Sequence, residues 1–156
     1  MAFLENGKDT RICSAADRLL FRALATGDYP GAWLLACPLL EPGRVDGLSA
    51  PTAFNCGLCL FLLEEYEHAL VPLRRAEQFL GSPAGLNAAE RKGFLHAVAA
   101  SKDTVLLPLD PEGGEGMERY YLIRVRWLTA LCLVRLDRRQ EAAPVLRFLG
   151  QYHIEL

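Results

Sequence analysis

Ala53-Phe54-Asn55-Cys56-Gly57-Leu58-Cys59 leads into Glu64-Glu65-Tyr66-Glu67-His68-Ala69 and then Leu73-Arg74-Arg75-Ala76. Apolar residues recur at three- and four-residue spacing on both sides of the acidic tyrosine stretch, the pattern of two helices joined by a tight turn. Gly57 before the turn and Ala69 after it are small enough to let those helices approach at the short end of the usual 8 to 10 Å separation. Gly27-Asp28-Tyr29-Pro30-Gly31-Ala32 repeats the turn, again with an alanine three residues after a tyrosine.

Outward from these turns the punctuation predicts further helices. Ser14 with Asp17 forms a capping box for a helix over Ala15 to Ala25, ended by Gly27. Asp28 caps a second helix through Leu40, with Pro30 in its first turn, where a missing N–H costs little. A third helix is expected from Thr52 to Leu63 and a fourth from Glu65 to Leu80, kinked at Pro72 and stopped by Gly81-Ser82-Pro83. Asn87 and Glu90 suggest a capping box for a fifth helix through Lys102. Leu106 to Gly116, with two prolines and three glycines, is expected to be a mobile loop. A sixth helix runs from Met117 to Leu136, turned by Asp137-Arg138-Arg139, and a seventh from Gln140 to Leu149. No stretch alternates like a strand.

These residues resemble the tetratricopeptide repeat (TPR) family, whose unit is a helix-turn-helix of about 34 residues. Gly57, Tyr66, Ala69, Leu73 and Ala76 match its crossing, turn and closing positions. Leu20, Tyr29, Ala32, Ala36 and Leu39 form a degenerate copy, as do Ala130, Arg139, Ala142, Leu146 and Leu149. Ala32 to Ala69 is 37 residues and Ala69 to Ala142 is 73, so the regular spacing is broken between Leu86 and Gly116. The resemblance implies an all-α fold, a TPR-like right-handed array of about seven antiparallel helices, irregular in the middle. One domain over 1–156 is expected, with repeat-like units at 14–47, 50–82 and 117–150 and an insertion at 86–116. A generic helical bundle is the alternative.

In that family one face of each first helix lines a concave groove for a partner segment. By resemblance the lining here is Phe21 and Leu24, then Phe54, Asn55, Leu58, Phe61 and Leu62, then Arg124, Trp127, Leu131 and Val134. Such a groove suits an amphipathic helix or an extended apolar peptide. The chain's own insertion or tail could equally fill it. A subclass grips a terminal carboxylate with lysines and asparagines; Asn55 fits that type, but the lining supplies no lysine. The arrangement also resembles the small TPR chaperones of type III secretion, which hold apolar segments of secreted proteins.

The remaining features point away from chemistry. Cys56-Gly57-Leu58-Cys59 has redox spacing, yet it falls inside a predicted helix rather than at a helix N-terminus, where a thiolate is stabilised. Cys13, Cys37, Cys132, His68, His96 and His153 show no paired metal-ligand spacing. Gly113-Gly114-Glu115-Gly116 is acidic and lacks the lysine of a phosphate loop. Arg119, Arg124, Arg126, Arg135, Arg138, Arg139 and Arg147 collect late in the chain, but a net charge of −2 over 156 residues favours a solvated helix face over a nucleic-acid surface. Charges interrupt every long apolar run, so no membrane span is expected although 51% of residues are hydrophobic. Met1 to Asp9 lacks a basic segment followed by an apolar core, so a cytoplasmic location is expected. The expectation is a non-catalytic adaptor or chaperone-like module without metal or cofactor, binding a protein segment; a self-associating helical domain forming a homodimer is the alternative.

Overall fold

The computed structural model describes residues 14–86, 88, 91–93, 102–113 and 116–156. Among them all regular structure is helical and none is strand. Ser14 opens α1 (Ala15–Ala25): its Oγ accepts from the Asp17 N–H at 3.3 Å, and the Asp17 carboxylate accepts from the Ser14 N–H at 3.0 Å. The Asp28 carboxylate caps α2 (Tyr29–Leu39) by accepting from the Gly31 N–H at 3.1 Å. A short 3-10 turn at Val45–Gly47 leads to α3 (Ala50–Leu62), which starts two residues earlier than the sequence suggests because Pro51 is accepted in its first turn. The chain continues through α4 (Tyr66–Leu80), a 3-10 turn at Lys102–Leu106, α5 (Glu118–Arg135) and α6 (Arg139–Gly150). Residues 88 and 91–93 are helical; the predicted Asn87/Glu90 cap and most of the predicted fifth helix lie outside the described residues.

Three links, at 26–28, 63–65 and 136–138, share one geometry. The middle residues Gly27, Glu64 and Asp137 have φ of 80°, 61° and 58°. Asp28, Glu65 and Arg138 each donate their N–H to a carbonyl five residues back, on Ala23, Leu60 and Leu133, at 2.8, 2.8 and 2.9 Å. The middle residues donate to Leu24, Phe61 and Val134 at 3.2, 2.9 and 3.0 Å. This pair of bonds is the Schellman closure, which satisfies the last carbonyls of one helix while turning into the next. Glycine adopts the left-handed conformation freely; Glu64 and Asp137 hold it at a cost of about 1 kcal/mol. Five residues beyond each middle position stand Ala32, Ala69 and Ala142, all buried. The 37- and 73-residue spacing of the alanines is thus also the spacing of the turns.

Each of these helices packs against the next, most extensively α3 on α4 and then α4 on α5, while α1, α3 and α5 also touch in that order. A β-carbon added at Gly57 would lie 2.8 Å from Leu73 Cγ and 3.5 Å from the Ala69 carbonyl oxygen, so the α3–α4 crossing admits only glycine there without a shift. Every residue of α3 from Ala50 to Phe61 is buried, which makes it the central helix. α4 runs on through Pro72 and α6 through Pro144. The carbonyls that lose a helical donor belong to His68 and Gln140, both exposed residues where water can replace it.

The turn of the central pair is tied to later helices. Arg135 donates to the Tyr66 hydroxyl at 2.8 Å and lies over the rings of Phe61 and Tyr66, while Arg138 pairs with Glu67 at 3.0 Å and with Glu141. Arg126 lies 4.2 Å over the Phe148 ring and 3.4 Å from Glu77. Much of the late arginine cluster is therefore engaged with aromatic rings and carboxylates of the same chain.

Candidate functional site

The residues expected to line one open groove fall into different surroundings. Leu24, Phe54, Asn55, Leu58, Phe61, Arg124 and Trp127 are buried; Phe21, Leu62 and Leu131 are half-buried, and Val134 is exposed. Phe54, Asn55 and Arg124 come together where α3 meets α5, and what covers them is the chain itself. Residues 102–113, of which 106–113 belong to the stretch expected to be a mobile loop, lie against this face, with Thr104, Val105 and Leu109 buried. Gly114 and Glu115 of that predicted loop lie outside the described residues. Leu24 and Leu62 instead line a separate cleft, and Trp127 borders a small one of about 150 Å³ with Ile154 of the tail.

The covering segment is held mainly by its backbone. The Asn55 side-chain amide donates to the Leu109 carbonyl at 2.9 Å, and its oxygen accepts from the Leu109 N–H at 2.8 Å. Arg124 donates to the carbonyls of Val105, at 3.3 Å, and Leu107, and to the Tyr120 hydroxyl at 3.0 Å. Its guanidinium also lies over the Phe54 ring at 5.3 Å. The Tyr121 hydroxyl donates toward the carbonyls of Asp110 and Gly113. Backbone groups buried without partners are costly, so these side chains are what allow an irregular segment to lie on an apolar face.

Burial sets the electrostatics of this face. It disfavours the charged form of Arg124, with the contact to Tyr120 opposing that effect. It also pushes the Tyr121 phenol up to about 12, reinforced by the nearby Asp110. Among the described residues the Arg124 Nε has no acceptor. Neutral phenol and charged guanidinium are both donors, suited to carbonyl oxygens.

A second apolar region stays open. Two clefts of about 380 and 510 Å³ share Trp33 and Leu63, between α2, α3 and α4. Tyr29, Leu63 and Val71 in their walls are each about half exposed, and Leu34 of α2 is 74% exposed. The carboxylate and imidazole of this lining, Glu65 and His68, contact each other at 3.1 Å, and Tyr29 and Trp33 add a hydroxyl and an indole N–H.

The Cys-x-x-Cys pair sits inside α3. Burial pushes the Cys56 thiol far up and the Cys59 thiol up to about 12, the opposite of the lowering that a redox thiolate needs. Among the described residues no cluster of histidine, cysteine or carboxylate groups could hold a metal ion, and no helix is long and apolar enough to cross a membrane.

Sequence reasoning missed Val105, Leu109, Tyr121 and Trp33. The available signal was Val105-Leu106-Leu107-Pro108-Leu109, an apolar run without helical period: such residues need a surface elsewhere to cover them. The chain matches no protein-family model, no curated protein and no solved structure.

Proposed function

We propose that the chain is a non-catalytic protein–protein interaction module, adaptor or chaperone-like, built as a TPR-like array of antiparallel helix pairs. Its binding face is that of α1, α3 and α5, and its partner is a segment of another protein. The three matching turns and their buried alanines support the array. The observation that carries the binding role is the pairing of Asn55 with both backbone groups of Leu109: the face already grips a non-helical chain segment by contacts that are indifferent to side-chain identity.

The test is photo-crosslinking from p-benzoylphenylalanine placed at Phe21, Leu131 or, as a probe of the separate cleft, Leu62. The expected product joins the chain to one mapped segment of a partner, and a synthetic peptide of that segment binds the purified protein. Crosslinks confined to the chain itself from all three positions would refute the binding role.

A second reading, self-association into a homodimer, is favoured by the exposed Tyr29, Leu34, Leu63 and Val71 around Trp33. Light scattering should then report twice the monomer mass, and Leu34→Glu should return a monomer. A wild-type chain that stays monomeric at high concentration excludes it.

A further inference from the structure

We infer that residues 104–110 act as a built-in ligand, and that the partner recognised by the α3–α5 face is a segment of the same chemistry that takes their place. This rests on the binding role proposed above and specifies its occupant. The template is Val105-Leu106-Leu107-Pro108-Leu109: an aliphatic anchor, two spacers, a proline and a second aliphatic anchor.

Each part has a visible reason. Thr104, Val105 and Leu109 are buried and Leu106 packs half-buried against the core, whereas Leu107 is 56% exposed; Val105 and Leu109 are the fully buried aliphatic anchors. Pro108 brings no N–H that the face would have to satisfy, and it biases Leu107 toward extended backbone. The bonds that Asn55, Arg124 and Tyr121 make to residues 105–113 all go to main-chain atoms, of Val105, Leu107, Leu109, Asp110 and Gly113. A different segment of that pattern can make every one of these bonds.

The docked segment is also the weaker partner in its own contact. α3 is buried along its length, but the segment buries only Thr104, Val105 and Leu109 and leaves Lys102, Asp103, Leu107, Asp110 and Glu112 exposed. Ordering the backbone of such a stretch opposes much of what so few buried side chains contribute. The tether sets the competition: a linked segment acts at an effective concentration on the order of millimolar, which a free competitor must overcome.

The experiment uses the full chain carrying Val105→Ser and Leu109→Ser, with the face of α3 and α5 untouched. The probe is a labelled peptide of residues 103–113, followed by fluorescence anisotropy. The variant is expected to keep its helicity and to bind the peptide at least tenfold more tightly than the wild type does. A peptide with Leu109→Asp should not bind. A folded variant that ignores the peptide overturns the inference, as does one that dimerises and refuses it, which would assign the face to a second copy.

A readout on the wild type keeps the question decidable if the variant fails to fold. In native-state hydrogen exchange the Leu109 amide should open at lower denaturant than Leu58 of α3; equal protection makes the segment permanent core and also overturns the inference. The binding role can survive that result. It fails separately, through the absence of any mapped partner segment in crosslinking.

Discussion

The α3–α5 face and the Trp33 cleft are both apolar, and among the described residues the chain covers one and leaves the other open. The covered face has Asn55, Arg124 and Tyr121, side chains able to satisfy a backbone laid across it. Among the described residues the polar side chains of the cleft, Tyr29, Trp33, Glu65 and His68, hold no backbone segment. Hydrophobic area alone therefore does not decide where an irregular segment docks: a segment that brings peptide groups out of water needs partners for them, and the face that supplies those partners receives it.

Substitutions on the two surfaces should separate them. Phe54→Ala removes a fully buried ring beneath the covering segment and should cost about 3–5 kcal/mol in denaturant unfolding. Leu63→Ala in the open cleft should stay within about 1 kcal/mol of wild type, because its side chain is already half in water. Equal losses would erase the contrast. Next in size is Asn55→Ala, which strands the Leu109 N–H and C=O and should cost about 2–4 kcal/mol by the same measurement. A change below about 0.5 kcal/mol would mean that water or another conformation satisfies those groups equally well.

Gly57→Ala sharpens the packing side of the comparison. The added methyl meets Leu73 at 2.8 Å, and this strain should outweigh the gain in helix propensity, leaving a loss of about 1–2 kcal/mol in thermal or denaturant midpoints. A neutral or stabilising result would show that Leu73 yields. The smallest effect expected is a gain: Glu64→Gly relieves the left-handed backbone at φ 61° and should stabilise by about 0.5–1 kcal/mol, away from both surfaces. A loss there would mean that the Glu64 side chain stabilises the turn.

What the sequence revealed was what local chemistry decides. The Ser14–Asp17 capping box forms as read, and the turn after Gly27 falls where a glycine and a capping aspartate stand together. Gly57 faces Leu73 and the Ala69 backbone at the crossing its smallness suggested. The type of several lining residues was also legible, since Phe54, Leu58 and Trp127 recur at helical spacing. That the chain's own insertion could cover them was an open alternative; which residues cover them, and by which bonds, was not legible. The contact of Asn55 with Leu109 joins residues 54 apart in the chain, and nothing in a proline-containing apolar run states which helix face it will meet. Arg124 was expected both in the groove lining and in the late arginine cluster, but sequence alone does not show that carbonyl oxygens and the Phe54 ring surround it.

The most direct test of self-coverage is the Asn55–Leu109 pairing in solution. In a nuclear magnetic resonance spectrum of the intact chain, the Asn55 side-chain amide protons should show nuclear Overhauser contacts to Leu109 and Asp110, and the Leu109 amide should exchange slowly. Replacing Asn55 by Ala should abolish that slow exchange. A Leu109 amide exchanging at the rate of an unstructured peptide in the wild-type protein, with no contact to Asn55, would contradict a face covered by the chain's own segment.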